Sequence, residues 1–169
     1  MFAARHVSRY PFLVLAAFLL LCALSAFSLV PRSFQGVEKK QSNPWLNSQT
    51  LQPGALASEL ADKNGTPPTV VYVGFHTLFA GGHIVSASFH GTGSTEQGLA
   101  SLKKWAESLP RSTNLVIYCG CCPFEKCPNI RPAFTALKEM GFKKLRVLVL
   151  PTNFATDWVE RGFPIQKGM

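Results

Sequence analysis

Apolar runs and amphipathic stretches alternate along most of the chain. Four runs have the length and the β-branched content of buried strands: 69–73, 84–88, 115–119 and 146–150. Between them, apolar residues recur every three or four positions, which predicts helices over 99–109 and 130–137 and a shorter one over 56–61. Continuous apolar strands separated by helices are typical of a parallel sheet covered on both faces. The sequence therefore predicts one α/β domain over residues 51–168.

Helix boundaries have their own signals in this domain. Residues 94–97 (Ser-Thr-Glu-Gln) are typical of a capping box before the first long helix. Gly141 follows the second long helix as a stop. Asp157 is predicted to cap a short helix near the end of the chain.

The N-terminal region has a different pattern. Residues 12–30 contain no charge and follow Arg5 and Arg9, an arrangement typical of a secretory signal. The run is also close to the roughly 20 residues that span a bilayer. We therefore expect residues 1–30 to be a signal peptide or a membrane anchor. The polar, proline-containing residues 31–50 are expected to be a linker.

The charges ahead of the apolar run also predict its orientation. Arg5 and Arg9 should stay in the cytoplasm, so the rest of the chain should be exported, to the periplasm or another extracytoplasmic space. The segment would then either be removed or hold the domain at the membrane.

Composition supports a globular chain. Among 169 residues, 47% are hydrophobic and 15% are charged, which excludes a disordered or collagen-like protein. The formal net charge is +8, of which Arg5 and Arg9 contribute two. The remaining basic residues are scattered, so they predict a soluble surface that attracts anions and give no indication of nucleic-acid binding.

Four cysteines fall within nine residues between a predicted strand and a predicted helix: Cys119, Cys121, Cys122 and Cys127. In a parallel sheet, ligands bind beyond the carboxyl ends of strands, where a loop leads into a helix N-terminus. Backbone N–H groups there lower the pKa of a thiol and favour its nucleophilic thiolate form. The loop is therefore the candidate for chemistry.

Other interpretations of the cysteines remain open. In an exported protein they can form two structural disulfides, although the adjacent Cys121 and Cys122 pair poorly with each other. The gaps from Cys119 to Cys122 and from Cys122 to Cys127 also suit zinc, but a second, well-separated pair of ligands is absent from the sequence. A phosphatase loop is excluded, because no arginine lies six positions after any of the four cysteines.

Four segments, in order, resemble motifs of rhodanese-like domains. Residues 82–87 (Gly-His-Ile-Val-Ser-Ala) are similar to that family's Gly-His-Ile-x-x-Ala segment, and 116–119 (Val-Ile-Tyr-Cys) to the strand that ends at its catalytic cysteine. Residues 137–142 are similar to a helix end of the family. Its closing Trp…Gly-x-Pro segment corresponds to residues 158–164.

The resemblance implies a rhodanese fold and sulfur transfer through a cysteine persulfide. It implies Cys119 as the nucleophile, and Gly120, Cys122, Lys126 and Arg131 as the groups that bind the donor. Cys121, Cys122 and Cys127 are candidates to resolve the persulfide as a disulfide. His83 is expected to fix a turn through a backbone hydrogen bond, and Trp158 to pack in the core.

The chain departs from the family's pattern at two places. Tyr72-Val73-Gly74 stands where rhodaneses usually carry Asp-x-Arg, and the active loop is longer than usual. The fifth position after the nucleophile, often basic in the family, is Phe124 when counted from Cys119 and Lys126 when counted from Cys121. Cys119 and Cys121 are therefore both catalytic candidates.

Together, these observations predict an exported sulfurtransferase without cofactor or metal. A small sulfur donor, thiosulfate or a polysulfide, would load the cysteine, and a thiol would accept the sulfur. The N-terminal segment would be its contact with the membrane, and nucleic acid is not an expected partner. The alternative is a non-catalytic module whose cysteines form a regulatory disulfide or a zinc site.

Overall fold

The computed structural model describes residues 42–168. The predicted signal or anchor segment lies outside these residues. The strands are β1 Thr50–Leu51, β2 Thr69–Tyr72, β3 His83–Ile84, β4 Ser88–Phe89, β5 Asn114–Tyr118, β6 Lys144–Leu148 and β7 Ile165–Gln166. The helices are α1 Pro53–Ala61, α2 His76–Gly81, α3 Glu96–Glu107 and α4 Ile130–Glu139, with 3-10 turns at Asn47–Gln49 and Phe124–Lys126 and a π-helical turn at Ala155–Val159. Within the described range, no helix has the length and apolar character needed to cross a membrane.

Five strands form a parallel sheet in the order β1-β6-β5-β2-β4. β5 lies at its centre, and its residues Leu115, Val116, Ile117 and Tyr118 are fully buried. Side chains alternate between the two faces of each strand. Leu115 and Ile117 pack with α3 and α4, whereas Val116 and Tyr118 pack with α1, α2 and the π-helical turn. Burial on both faces explains the continuous apolar runs, and the predicted α/β fold is confirmed.

The predicted strand over 84–88 is wrong. The segment contains two short strands, β3 and β4, which belong to different sheets. Between them the chain turns at Ser86, whose φ of 64° lies in the left-handed region that strands do not use. β4 pairs with β2 in the main sheet, and β3 pairs antiparallel with β7.

Helix boundaries agree with the sequence in part. Thr95 caps α3 by accepting a hydrogen bond from the Gly98 N–H at 3.1 Å. The predicted capping box does not form there. Gly98 occupies the third helical position and has no side chain that could accept a hydrogen bond from the Thr95 N–H. Gly141 follows α4 with a φ of 88°, so it ends the helix as predicted.

The terminal turn is capped differently from the prediction. Asp157 lies inside the π-helical turn, and its carboxylate accepts hydrogen bonds from the N–H groups of Thr152 and Asn153. The side-chain oxygen of Asn153 accepts from the Thr156 N–H at 2.9 Å. Asn153 therefore supplies the side-chain cap that was expected from Asp157.

The folded unit extends ahead of residue 51. β1 begins at Thr50 and pairs with β6. Trp45 is buried, with its ring centroid 5.4 Å from that of Phe124 and 5.3 Å from that of Phe134. This contact places part of the segment before β1 against the loop that carries the cysteines.

Candidate active site

The cysteine loop begins at the carboxyl end of the central strand. Cys119 directly follows β5, and Cys127 lies three residues ahead of α4. The Sγ of Cys119 is 3.2 Å from that of Cys121, which is 3.3 Å from that of Cys122. The sulfurs of Cys119, Cys121 and Cys127 all lie within 4.8 Å of one another. The structure thus gathers all four cysteines, as free thiols, at one point.

Close packing fixes the path of this loop. The N–H of Phe154 donates to the carbonyl of Gly120 at 3.1 Å, and a Cβ on Gly120 would come within 2.5 Å of the Phe154 Cβ. Only glycine fits at that distance. Further along, the Phe124 N–H donates to the Leu150 carbonyl at 3.2 Å. The loop is therefore tied to the segment that follows β6 at two points.

Asn129 also contacts the cluster and was not among the predicted site residues. Its fully buried side chain accepts a hydrogen bond from the Ser94 N–H at 3.1 Å through Oδ1. That bond turns the amide nitrogen toward the sulfurs of Cys119, at 3.5 Å, and Cys121, at 3.8 Å. An asparagine just before a predicted helix resembles an ordinary cap residue, so the sequence carries no signal for this contact.

Hydrogen bonds distribute the charge of the cluster unevenly. Cys127 accepts from the Cys119 thiol and from the N–H groups of Asn129 and Ile130 at the start of α4, which lowers its pKa to about 6. The hydrogen bond to Cys127, together with burial, raises the pKa of Cys119. Burial and a hydrogen bond to Cys121 raise the pKa of Cys122 to about 12. These hydrogen bonds therefore favour the thiolate form at Cys127 and the protonated form at Cys119 and Cys122.

Cys121 opens onto a cleft of about 680 Å³. The walls of the cleft are mostly apolar and include Leu78, Phe154, Val159 and Ile165; Lys167 is the charged residue of its lining. Cys119, Cys122 and Cys127 border a separate, narrow space with no room for a water molecule. A substrate in the cleft therefore reaches Cys121 before the other sulfurs.

The two predicted basic groups lie away from this cleft lining. Lys126 is exposed at the end of the 3-10 turn. Arg131 is buried, and its guanidinium donates to the Asn43 Oδ1 at 2.9 and 3.1 Å and stacks over Trp45 at 5.6 Å. It also donates to the carbonyl of Cys127 at 3.4 Å. Arg131 thus supports the backbone of the loop.

The cluster also has the composition of a metal site. Cys119, Cys121 and Cys127 each offer one sulfur within a 4.8 Å group. Thiolates of this kind select soft ions such as Cu(I) and Zn(II) over hard ions such as Mg²⁺. The arrangement is therefore suited to two kinds of chemistry, nucleophilic attack by sulfur and coordination of a soft metal.

Comparison with known proteins identifies the fold. No family model matches the sequence, and no curated protein is significantly similar to it. Among solved structures, the solution structure of the rhodanese-like domain of the Alr3790 protein from Anabaena sp. is similar with a TM-score of 0.52 and 21% identity, over 70% of this chain and 79% of that one. A crystal structure of the Anabaena Alr3790 protein is similar with a TM-score of 0.52 and 20% identity, over 70% of this chain and 93% of that one.

A third structure agrees with these two. The BH2092 protein from Bacillus halodurans matches with a TM-score of 0.53 and 17% identity, over 71% of this chain and 77% of that one. The described domain therefore has the rhodanese-like fold that the four sequence motifs predict. The cysteine cluster occupies the end of its central strand.

Proposed function

We propose that the domain is a sulfurtransferase that carries sulfane sulfur as a persulfide on its cysteine cluster. One observation carries the proposal: four free thiols converge at the carboxyl end of the central strand of a rhodanese-like sheet, and one of them, Cys121, opens into a cleft. Strand ends of this kind are where parallel sheets bind and convert ligands.

Cys121 is the sulfur that takes up the transferred atom. It lines the cleft, and the protonated Cys122 thiol, 3.3 Å away, and the Asn129 amide, 3.8 Å away, can both donate hydrogen bonds to it. Donors of this kind stabilise a thiolate before the reaction and a persulfide anion after it.

The transfer has two steps. The Cys121 thiolate attacks the outer sulfur of a donor such as thiosulfate, the donor's S–S bond breaks, and sulfite leaves with the bonding electron pair. A thiolate acceptor then attacks the outer sulfur of the persulfide, and Cys121 leaves as a thiolate. The proton that Cys121 loses on ionisation passes to solvent through the open cleft.

Cys119 is the second catalytic candidate, and the active loop can also be counted from it. It stands at the strand end that resembles the family's catalytic position, but it is only 5% exposed and its thiol donates to Cys127. In our proposal it keeps the Cys127 charge in place and lies 3.2 Å from Cys121, close enough to resolve the persulfide as a disulfide with release of hydrosulfide.

We also propose that the domain works outside the cytoplasm. The support is the uncharged run 12–30 that follows Arg5 and Arg9, which predicts a signal peptide or an anchor. A cytoplasm-dependent fluorescent reporter fused to the C-terminus should stay dark. Normal fluorescence of that fusion would contradict export.

Mass spectrometry tests the transferase proposal directly. The reduced, metal-free protein is incubated with thiosulfate or polysulfide and fragmented. We expect a gain of about 32 Da, one sulfur atom, on Cys121, and loss of that sulfur when a thiol is added. If no donor leaves an adduct on any of the four cysteines, the domain is a non-catalytic module and the proposal is overturned.

A further inference from the structure

We propose that Cys119, Cys121 and Cys127 bind one soft metal ion through their three sulfurs, and that Cu(I) is the ion that fits them best. This metal site goes beyond the sulfur transfer proposed above and does not depend on it.

The spacing of the sulfurs carries the proposal. All three lie within 4.8 Å of one another, and Cys119 and Cys121 are 3.2 Å apart. With metal–sulfur bonds of about 2.3 Å, three sulfurs placed around one ion lie roughly 4 Å apart. Small movements of the side chains therefore bring the three sulfurs to coordinating distance of a common centre.

N–H groups already surround these sulfurs. Cys127 accepts hydrogen bonds from the N–H groups of Asn129 and Ile130 at the start of α4. The Asn129 amide nitrogen lies 3.5 Å from the Cys119 sulfur and 3.8 Å from that of Cys121. Such donors orient thiolate ligands and offset the negative charge of a metal–thiolate centre.

Two of the three sulfurs are buried, and the third is open to the cleft. Cys119 and Cys127 are 5% and 3% exposed, whereas Cys121 faces the open cleft. An ion can enter beside Cys121 and move inward to the two buried sulfurs. The thiols release their protons to solvent as the metal–sulfur bonds form, so no oxidant or reductant is needed.

The number of sulfurs selects the ion. Within residues 42–168, this group contains three thiols and no histidine or carboxylate. Cys122 lies 3.3 Å from Cys121 but does not belong to the mutually close group. Structural zinc sites are almost always closed by four protein ligands, one more than this group offers, whereas three thiolates suit Cu(I), the softer ion.

The metal ion and the transferred sulfur then compete for the Sγ atom of Cys121. Cys121 is the proposed carrier of the persulfide and also a ligand, so a metal-loaded protein should not take up sulfur. Binding of one ion would also protect the three ligand thiols from oxidation in an exported protein.

An anaerobic titration tests the site on the full chain. The reduced protein competes for Cu(I) with a chromophoric chelator, and X-ray absorption reports the ligands. We expect one Cu(I) per chain with three sulfur ligands, and at least a tenfold loss of affinity in Cys127→Ser and Cys121→Ser. Cys22→Ser is the matched control, since Cys22 is the one cysteine outside the loop and should leave binding unchanged.

Three results of the Cu(I) titration would each overturn the proposal: no binding in competition with the chelator, equal affinity in Cys127→Ser, and equal affinity in Cys121→Ser. Far-ultraviolet circular dichroism identifies a variant that has not folded, and Cys121→Ser, which alters a half-buried side chain, serves if Cys127→Ser fails. In a parallel zinc titration, a four-sulfur site that Cys122→Ser weakens as much as Cys127→Ser would also overturn it. The sulfur adduct is measured on metal-free protein, so the two proposals fail independently.

Discussion

The Ser94 N–H holds the side chain of Asn129 at 3.1 Å, and this contact aims the Asn129 amide nitrogen at the cysteine sulfurs. Ser94 directly precedes Thr95, the cap of α3, whereas Asn129 directly precedes α4. Two helix starts that are far apart in the sequence thus combine to orient one donor toward the cysteine sulfurs.

Asn129→Asp tests that donor. The aspartate keeps an oxygen for the Ser94 N–H but loses both amide hydrogens and adds negative charge beside the sulfurs. We expect sulfur uptake to slow by about tenfold or more, because a hydrogen bond to a charged group is worth roughly 1.5–3 kcal/mol. Loading rates measured against pH should move to higher pH, since the thiolate is less stable.

The matched control for this change is Asn64→Asp, on the exposed turn between α1 and β2. It adds the same charge away from the site and should leave the pH profile unchanged. Identical profiles for the two variants would show that Asn129 has only a packing role.

The positions of Cys121 in the cleft lining and of Cys119 behind it give a second prediction. Cys121→Ser should abolish persulfide formation from donors in the cleft, because Cys121 is the cluster sulfur that lines it. Cys119→Ser should retain measurable transfer, because Cys119 lies behind Cys121 and is buried. Both rates are followed as sulfite release from thiosulfate. If Cys119→Ser is inactive and Cys121→Ser turns over normally, the nucleophile is Cys119, the residue that directly follows β5.

The main sheet was predictable because buried strands need apolar residues, and these are visible in the sequence. β2 and β5 are covered on both faces, so their apolar runs are continuous, and β6 adds the buried Leu145, Val147 and Leu148. β1 and β7 have two residues each, too few to show any period. The predicted strand at 84–88 failed because its apolar pattern continues through a turn at Ser86.

The site was predictable in composition but not in arrangement. The sequence places four cysteines in one loop. His83 and Trp158 also take the structural roles expected of them. The Nδ1 of His83 lies 2.8 Å from the Phe79 carbonyl oxygen, and the Trp158 indole N–H donates to the Pro164 carbonyl. Which sulfur faces a ligand depends on α2, the π-helical turn and β7, which line the cleft from distant parts of the chain. No local pattern encodes that convergence.

Glu59 and Arg146 give a third prediction, on stability. The two side chains form paired hydrogen bonds of 2.6 and 2.7 Å that join α1 to β6, and the bond to Arg146 lowers the pKa of Glu59. A carboxyl group whose pKa is lowered by folding stabilises the protein above its unfolded pKa and loses that effect as the pH falls through the folded value.

Glu59→Gln should therefore lower the free energy of unfolding at pH 7 by about 1 kcal/mol or less, since the pair is partly exposed. The difference from the unmodified protein should shrink below the ordinary pKa of a glutamate and vanish in stronger acid. Urea unfolding at several pH values measures it. Glu107→Gln, on the exposed face of α3, is the control, and an equal loss there would contradict the assignment.

The charge in the cleft makes a fourth prediction. Lys167 lines the cleft beside Cys121, whereas Lys126 is exposed on the cysteine loop and is absent from the lining. Lys167→Ala should raise the KM for thiosulfate more than Lys126→Ala does, because an anion that enters the cleft meets Lys167. A larger effect of Lys126→Ala would favour the sequence-based assignment of Lys126 to donor binding.

The apolar walls of the cleft give a last prediction, about substrate class. Leu78 is 49% exposed and lines the cleft together with Val159 and Ile165. Exposed apolar walls beside a reactive sulfur favour a donor or acceptor with an apolar body, because its burial contributes roughly 25 cal/mol per Å². In the unmodified protein, KM should fall along a series of alkyl persulfides as the alkyl chain lengthens.

Leu78→Asp should abolish that trend and leave the kcat for thiosulfate close to normal. Leu46→Asp, at a site that is 68% exposed and outside the cleft lining, should keep the trend. A KM that does not depend on chain length in the unmodified protein would show that the cleft does not select its substrates by apolar contact.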